Sequence, residues 1–336
     1  MRTEQTQTAA PNATGRVPEF FLVGQPKAGS TAIYEMLLQH PGVYLPERKE
    51  PRFFVEELLE RDAPRPGGTP KTLAEYESWY ADARPDQVAG DTSPTYLWSR
   101  TAARRIQAAK PDAKIMMVLR EPASLLRSLH MELVELYVED QTDFRTAIEL
   151  EPRRREGKDM PRHTHWPALL MYSEQVRYVE QVSRFTELFP GEQIKIMIYD
   201  DFRADNEGTM REIMRFIGVD DSVELERREA NPTVRVRSGA ANRLFHSVVV
   251  GHGPISRAAK ATARAVTPED WRKRAFIKTK RTLLFTEPEP ADPQFMAELR
   301  ERYRDDVRAL SEMLGRDLLT LWGYAPETAS SNLDAR

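Results

Sequence analysis

A loop of small residues between an apolar run and a helical pattern contains the residues best suited to chemistry. The apolar run 20–23 breaks at Gly24, and the loop that follows contains Lys27, Ser30 and Thr31. A helical apolar pattern begins at Thr31, so unpaired backbone N–H groups and the positive end of the helix dipole point into the loop. Lys27 adds a full charge, and the two hydroxyl groups add hydrogen-bond donors. The sequence therefore predicts a site for a phosphate group or an anion of similar shape.

The order of residues in this loop differs from that of a Walker A motif. In G-x-x-x-x-G-K-[ST] the lysine follows the second glycine, whereas here it precedes the glycine in Lys27-Ala28-Gly29-Ser30-Thr31. No D-x-x-G or Walker-B-like partner for magnesium stands out. Side chains, without a metal, are then expected to neutralise the ligand. The alternative is an ordinary turn between strand and helix with a solvated Lys27.

The segment 45–54 supplies a candidate base. Pro51 biases Glu50 towards an extended conformation, so a loop is expected to present Lys49, Glu50 and Arg52. A carboxylate in that place is able to accept a proton from an acceptor hydroxyl, with its pKa raised by burial against the phenylalanines at 53 and 54. The alternative for Glu50 is an ion-paired surface residue. Three histidines remain as rival bases, of which the second is closest in sequence to the other motifs: His40, His130 and His165.

Two more segments carry arginines suited to a second phosphate. Arg120 ends the apolar run 115–119, and Ser128 follows about two helical turns later. An arginine and a hydroxyl together are able to hold a phosphate. In the segment 231–239, Arg235 and Arg237 alternate with valines and fall on one side of an extended chain. The alternatives are a salt bridge that closes the strand at Arg120 and a basic edge strand at 231–239.

These motifs, taken in order, resemble those of sulfotransferases that use 3′-phosphoadenosine-5′-phosphosulfate (PAPS). The run P-K-A-G-S-T at 26–31 resembles the family's 5′-phosphosulfate loop, and L-R-E-P at 119–122 with Ser128 resembles its 3′-phosphate motif. The run K-E-P-R-F-F at 49–54 is similar to a segment of bacterial members and of heparan-sulfate-type domains. The segments 90–97 and 310–322 resemble a further site-lining segment and the family's ending. The resemblance covers 20–324.

The resemblance implies a donor, a product and a set of roles. PAPS is expected to be the donor and 3′-phosphoadenosine 5′-phosphate (PAP) the product, and no metal is expected to take part. The acceptor is a hydroxyl, less readily an amine, of a small molecule, lipid or carbohydrate. Lys27 acts at the leaving phosphate, and Glu50 matches the family's catalytic base, with His130 as the alternative. The residues expected to hold the donor are Lys27, Ala28, Gly29, Ser30, Thr31, Arg120, Ser128, Arg235, Arg237 and Ser238. The residues expected to contact the acceptor are Lys49, Arg52, Phe53, Ser93 and Tyr96.

This sequence departs from the family pattern on the acceptor side. Heparan-sulfate-type members often carry histidine at the position of Arg52, and lysine near the positions of Asp91 and Thr92. The acceptor surface is therefore expected to differ from theirs.

Strand-like and helix-like patterns alternate along the chain. The strands are predicted at 20–23, 43–45, 115–119 and 194–198, and the helices at 31–40, 101–110, 125–137, 169–189, 206–217 and 294–314. Unbroken apolar runs separated by helices predict a single α/β domain with a central parallel sheet, the P-loop-like fold that the resemblance also implies. Ligands of such sheets bind beyond the carboxyl ends of the strands. The charged segment 142–165 is expected to be a surface excursion.

Composition limits the remaining possibilities. The 336 residues include no cysteine, which excludes disulfides, thiolate metal sites and a cysteine nucleophile and fits a cytoplasmic protein. The expected organisation is a disordered tail 1–16, a sulfotransferase domain 17–326 and a tail 327–336. Within that domain 240–285 is expected to be a basic helical insertion or lid, and 271–281 is a possible membrane-surface contact. Two rival functions are a nucleotide-dependent kinase and a non-catalytic anion or nucleic-acid binder; few aromatic residues accompany the basic segment, so nucleic acid is not expected.

Overall fold

A five-stranded parallel sheet forms the centre of the computed structural model. The model describes residues 16–58, 68–162, 164, 166–226, 235–236, 285–286 and 290–324. The strands of the sheet are β1 (Phe20–Gly24), β2 (Val43–Tyr44), β3 (Val88–Asp91), β4 (Lys114–Leu119) and β5 (Ile194–Ile198). Their order across the sheet is β2-β3-β1-β4-β5, and every neighbouring pair is parallel. The predicted α/β domain with a central parallel sheet is confirmed.

The described helices lie between the strands in sequence, except for the last two, which follow the final strand. They are α1 (Ser30–Leu37), α2 (Leu73–Ser78), α3 (Ala102–Ala109), α4 (Pro122–Glu135), α5 (Phe144–Glu149), α6 (Glu151–Arg155), α7 (Tyr178–Thr186), α8 (Tyr199–Ala204), α9 (Asn206–Ile217), α10 (Pro293–Leu314) and α11 (Leu318–Leu321). Short 3₁₀ turns occupy Glu56–Leu58, Pro94–Tyr96, Pro167–Leu170, Tyr172–Val176 and Gly191–Gln193. A further strand pair, β6 (Arg235–Val236) and β7 (Phe285–Thr286), is antiparallel. None of the described helices has the length and apolarity needed to cross a membrane.

The central strands are buried on both faces, as their unbroken apolar runs predict. On β1, Phe21 and Val23 pack into one hydrophobic cluster, while Phe20 and Leu22 pack into a second. Because successive side chains of a strand point to opposite faces, the two clusters are the two layers of core on either side of the sheet. The sheet thus holds the ends of its strands, and the loops that follow them, in a fixed frame.

Strand β3 was not among the predicted strands. Its sequence, Val88 to Asp91, contains too few large apolar residues to stand out from a loop. Gly90 is required there because a Cβ at this position would overlap the ring of Phe20 on the neighbouring strand. The strand is therefore specified by close packing against β1, a long-range effect that a local pattern does not show.

The prediction of one long helix over 169–189 is wrong. The chain forms two 3₁₀ turns and then the shorter helix α7, with non-helical backbone at Met171 and Arg177. The side chain of Gln181 donates to the Glu174 carbonyl at 2.7 Å and accepts from Gln25 at 2.6 Å. The Gln181 side chain thus replaces the backbone N–H that would donate to this carbonyl in a helix. It also connects the segment to the end of β1.

The segment 142–165 is more than a surface excursion. It contains α5 and α6, which contribute the buried side chains of Ala147, Ile148 and Arg154 to the interior. Arg154 forms two hydrogen bonds with Glu139, at 2.6 and 2.7 Å, and both side chains are fully buried. One of the charged residues of this segment, Arg154, is thus held in an internal ion pair, although the composition of the segment suggested exposure.

Several predictions fall outside the described residues. They concern the two tails, the basic segment 240–285 with its stretch 271–281, and the residues Arg237, Ser238 and His165. Of Arg235 only the backbone, in β6, is described. The predicted domain limits and roles of these residues stay predictions.

Candidate active site

The loop after β1 has the geometry of an anion cradle. Helix α1 begins immediately after Gly29, whose φ of 90° lies in the left-handed region, and Lys27 has a φ of 62°. A side chain at Gly29 would meet the Phe202 ring at 3.1 Å, so glycine suits both the backbone and the space. Arg120, at the end of β4, donates from Nη1 to the Lys27 carbonyl at 2.7 Å. The loop is therefore fixed against the neighbouring strand with the amino end of α1 left open.

Two lysines reach this opening. Lys27 Nζ lies 3.6 Å from Glu132 Oε1 on α4. Lys49, from the segment after β2, donates from Nζ to Thr31 Oγ1 at 2.7 Å. The structure thus brings together the loop and the segment 49–54, which the sequence analysis placed on one sheet edge. Lys49 adds a second cation at the amino end of α1, a role that the sequence analysis did not assign to it.

Glu50 lies between two cations. Its Oε1 is 3.4 Å from Lys49 Nζ, and its carboxylate accepts from both Nε and Nη2 of Arg52. Burial acts to raise the pKa of Glu50, but the charges and hydrogen bonds of Arg52 and Lys49 outweigh it, so the pKa is lowered. The expected raised pKa is therefore wrong. The expected extended backbone is also wrong, because the φ values of Glu50 and Arg52 are 59° and 53°.

A buried carboxylate holds this unusual backbone. Asp91, at the carboxyl end of β3, accepts from Ser93 Oγ at 2.6 Å and from Tyr96 OH at 2.8 Å. The same two hydroxyls accept the backbone N–H groups of Arg52, at 3.0 Å, and Phe53, at 3.1 Å. Asp91 thus fixes the loop that carries Glu50 through two hydroxyl relays.

The pKa of Asp91 is raised to about 6. Burial is the main cause, and the hydrogen bonds from Ser93, Tyr96 and Tyr76 offset it in part. The Tyr76 hydroxyl donates to Oδ2 at 2.8 Å. A buried carboxyl with three donors is typical of a structural polar network.

Three of the five predicted acceptor contacts lie beneath the loop. Ser93 and Tyr96 are fully buried, and Phe53 is 8% exposed and stacks on Tyr76 with ring centroids 4.8 Å apart. The prediction that these side chains touch the acceptor is therefore corrected: in this conformation they support the backbone of Arg52 and Phe53. Lys49 and Arg52 remain half-buried at the edge of the loop.

An open cleft adjoins the loop and Glu50. Its volume is about 820 Å³, and it extends from Thr31 and Glu50 past the aromatic side chains of Tyr34 and Tyr44. Among the residues that the structure describes, five carboxylates and one lysine line it: Glu35, Glu47, Glu50, Asp82, Glu132 and Lys49. Burial and the charge of Glu50 raise the pKa of Glu132, against the opposing effect of Lys27. Carboxylates thus outnumber cationic side chains on the described wall of this cleft beside the anion loop.

A second cavity, of about 440 Å³, lies beyond the end of β4. Arg120, Arg127 and Ser128 line it. Ser128 Oγ is buried and has no hydrogen-bond partner among the described residues. Burial, followed by the charge of Arg120, lowers the pKa of Arg127. Clustered cations with an unpaired hydroxyl fit an anionic ligand. The expectation that Arg120 and Ser128 hold a phosphate stays a prediction.

The rival histidines lie elsewhere. His130 lines neither cavity; it is buried against Phe144 and Tyr172, and its Nε2 lies 2.8 Å from the Gln141 carbonyl. Burial is the main cause of its lowered pKa. His40 is buried too, with Nε2 at 2.9 Å from the Asp220 carbonyl and Nδ1 accepting the Gly42 N–H. The structure does not bring either ring to the loop.

Sequence reasoning missed two side chains of the site. Glu132 falls four residues after Ser128, on the same face of α4, and this spacing was a usable signal. Asp91 was noted as part of a site-lining segment, but its role depends on hydroxyls that only the fold brings to it. Among the described residues no cluster of three or more acidic or histidine side chains is arranged to hold a metal; the expectation of a metal-free reaction stays a prediction.

Comparison with known proteins agrees with the fold. The parallel sheet and the cradle after its central strand define a single α/β domain of the P-loop-like sulfotransferase fold. A sequence profile described as the sulfotransferase family matches residues 18–223. The chain therefore belongs to the sulfotransferase family.

Individual relatives are similar to parts of the chain. Heparan sulfate glucosamine 3-O-sulfotransferase 6 of Homo sapiens is 34% identical over 109 residues, which cover 32% of this chain and 28% of that protein. Bifunctional heparan sulfate N-deacetylase/N-sulfotransferase 3 of Homo sapiens is 27% identical over 214 residues, which cover 61% of this chain and 22% of that protein. A crystal structure of a sulfotransferase from Alicyclobacillus acidocaldarius has a TM-score of 0.57 and 29% identity, over 65% of this chain and 87% of that chain. The chain thus spans less than a third of the length of either curated relative.

Proposed function

We propose that the protein transfers the sulfuryl group of PAPS to an acceptor hydroxyl. One observation carries the proposal: two separate sets of cations lie at the carboxyl edge of the sheet. Lys27 and Lys49 meet the amino end of α1, whereas Arg120, Arg127 and Ser128 line a second cavity. A nucleotide with anionic groups on both its 5′ and 3′ positions would use both sets. ATP, whose phosphates form one chain, would leave the second set unused.

The unpaired hydroxyl of Ser128 supports the fit of such a donor. A buried polar group without a partner is costly, and a phosphate oxygen would satisfy it. Arg120 connects the two cation sets through its bond to the Lys27 carbonyl. When bound, PAPS supplies the activated sulfuryl group. The donor-binding residues we assign from the described part of the chain are Lys27, Ala28, Gly29, Ser30, Thr31, Arg120 and Ser128, with Arg127 added.

The chain's own groups would act mainly by position and charge. Lys27 is placed to neutralise the oxygen that leaves sulfur, and the amides and hydroxyls at the start of α1 are placed to bind non-bridging oxygens. Lys49, bonded to Thr31, would add charge on the same side. The ion pair between Lys27 and Glu132 would have to open for this, because an incoming anion competes for the same ammonium.

Glu50 is the base in this proposal. Its lowered pKa means that it is ionised at neutral pH and ready to accept a proton. An alcohol becomes strongly acidic as its oxygen bonds to sulfur, so a weakly basic carboxylate suffices. In the proposed sulfuryl transfer, the acceptor oxygen would bond to sulfur while the bond from sulfur to the phosphate oxygen breaks. The acceptor proton would move to Glu50.

The acceptor would occupy the cleft beside Glu50. The five carboxylates on its wall disfavour a strongly anionic acceptor. The curated relatives carry heparan sulfate, a polyanion, in their names, so a different acceptor class is proposed here: a neutral or cationic small molecule, lipid or carbohydrate. A cytoplasmic location, which the absence of cysteine favours, remains part of the proposal.

Incubation with radiolabelled PAPS and a panel of hydroxylated acceptors tests the proposal. The expected result is label on at least one acceptor, with PAP formed in equal amount. A parallel reaction with γ-labelled ATP and magnesium tests the kinase alternative. Label transfer from ATP, with none from PAPS, would overturn the proposal.

A further inference from the structure

The C-terminal helix forms one wall of the second cavity. Pro293, Met296 and Arg300 of α10 face the side chains of Arg120 and Ser128 across it. Their spacing of three and four residues places them on one face of the helix. The family profile ends at residue 223, so this wall lies outside the part of the chain that identifies the family.

One nitrogen of the Arg300 guanidinium has no hydrogen-bond partner among the described residues. This nitrogen is Nε, and it is buried. Glu121 Oε1 forms an ion pair with that nitrogen at 3.7 Å, which is beyond hydrogen-bonding distance. The same oxygen already accepts the Ala123 N–H at 2.9 Å and faces the Tyr324 hydroxyl at 3.4 Å. The other oxygen of Glu121 accepts the Ser124 N–H at 2.7 Å, so this carboxylate serves chiefly as the cap of α4.

Two buried donors without hydrogen-bond partners among the described residues therefore belong to side chains that line this small cavity. They are Arg300 Nε from α10 and Ser128 Oγ from α4. Arg120 and Arg127 add two more positive charges to the same wall, and the charge of Arg120 helps to lower the pKa of Arg127. Repulsion among these cations would be relieved by a doubly charged anion that accepts hydrogen bonds from several sides.

We propose that Arg300 binds the 3′-phosphate of the donor, and that α10 thereby completes the donor site. The ligand class is a phosphate monoester dianion. The inference rests on the proposed function, because the phosphate belongs to the donor named there. It adds a contact from an element outside the family match, and it makes donor binding and the docking of α10 mutually dependent.

Calorimetric titration of Arg300→Gln with PAP and with adenosine 5′-phosphate (AMP) tests the contact. The two ligands differ only in the 3′-phosphate. The expected result is a loss of PAP affinity of roughly 10- to 100-fold, the usual effect of removing a charge-assisted hydrogen bond, with AMP affinity unchanged. Arg308→Gln, on the same helix and paired with Asp305, is the control and should leave both affinities unchanged.

Amide hydrogen exchange on the unaltered protein provides a second measurement that does not depend on how the variant folds. PAP should slow exchange in α10 around residues 296–304, and AMP should not. Equal loss of PAP and AMP affinity in Arg300→Gln, or equal protection of α10 by both ligands, would overturn the inference. If the unaltered protein showed no preference for PAP over AMP, the proposed donor itself would be wrong.

Discussion

Arg120 joins the two halves of the proposed donor site, and this limits what its substitution can show. Its Nη1 holds the Lys27 carbonyl at 2.7 Å, and its guanidinium lies 4.8 Å from the centre of the Tyr199 ring. Arg120→Ala would therefore disturb the phosphosulfate loop as well as any contact with a 3′-phosphate. The sequence alone suggested that Arg120 and Ser128 hold that phosphate together; the structure makes Ser128 the more selective probe of it.

Ser128→Ala should weaken PAP and leave AMP unchanged. The hydroxyl has no partner among the described residues, so its removal costs the free protein no hydrogen bond. A lost bond to a charged phosphate should cost about 1.5–3 kcal/mol of binding free energy. Calorimetry with both nucleotides measures the difference, and thermal unfolding shows that the fold is intact. A parallel loss for both ligands would show that Ser128 does not read the 3′-phosphate.

Glu50→Gln should lower kcat by roughly 10²–10⁴ and barely change PAP affinity. Because the cations of Arg52 and Lys49 lower the pKa of Glu50, the rate of the unaltered enzyme should fall only below the ordinary glutamate value of about 4.3. The Gln variant should lose this acid limb of the pH–rate profile.

His130→Gln is the companion variant for the base. His130 lines neither cavity, so this variant should keep the acid limb and most of its activity. Collapse of the His130 variant, with Glu50→Gln still active, would contradict the assignment of the base.

At the level of the elements, Asp91→Asn tests the polar network that supports the loop 50–54. Asp91 positions the backbone of Arg52 and Phe53 through Ser93 and Tyr96. The variant should lower kcat while the affinity for PAP stays unchanged, because the donor loop follows a different strand. Affinity for PAP that falls in proportion to kcat would indicate a general loss of structure instead.

The pH dependence of stability provides an independent test of the raised pKa of Asp91. The pKa of Asp91 is raised to about 6 in the folded protein, so folding favours its protonated form. This contribution is complete below the unfolded value of about 3.9 and is lost as the pH rises through the folded value. The Tm of the unaltered protein, relative to Asp91→Asn, should therefore fall across that window. A constant difference would contradict the raised pKa.

Local sequence patterns predicted the elements that build the donor side. Strand β1, the loop with Lys27 and helix α1 are contiguous in the chain, so composition and spacing sufficed. The left-handed backbone at Glu50 was not predicted, because hydroxyls from residues 93 and 96 determine it. The lowered pKa of Glu50 was not predicted, because it depends on the hydrogen bonds that the Arg52 side chain donates to its carboxylate. Strand β3 was not predicted because its glycine is required by the ring of a residue on β1, a contact that the local sequence does not show.

For the molecule as a whole, uneven charge leads to a prediction about the acceptor. The cleft beside Glu50 has an acidic wall. Among acceptors of equal size, an amino alcohol should therefore have a higher kcat/KM than the matching hydroxy acid. The ratio should fall as salt is added, since screening weakens interactions between exposed charges.

A double variant tests whether the wall causes this preference. Glu47→Gln with Asp82→Asn, two exposed positions outside the catalytic set, should reduce the ratio by about 2- to 5-fold per charge. Glu192→Gln, on the exposed turn before β5, is the control and should leave the ratio unchanged. A preference for the hydroxy acid in the unaltered protein would contradict an acidic acceptor cleft.

The most direct test of sulfuryl transfer is a single-turnover experiment with labelled PAPS, an accepted hydroxylated substrate and a metal chelator. The unaltered protein should form one labelled product for each PAP released, and the chelator should not change the rate. Lys27→Ala should form none, because the positive charge at the leaving phosphate is gone, while it remains folded by thermal unfolding. Near-normal transfer by Lys27→Ala, or label transferred only from γ-labelled ATP with magnesium, would contradict the account.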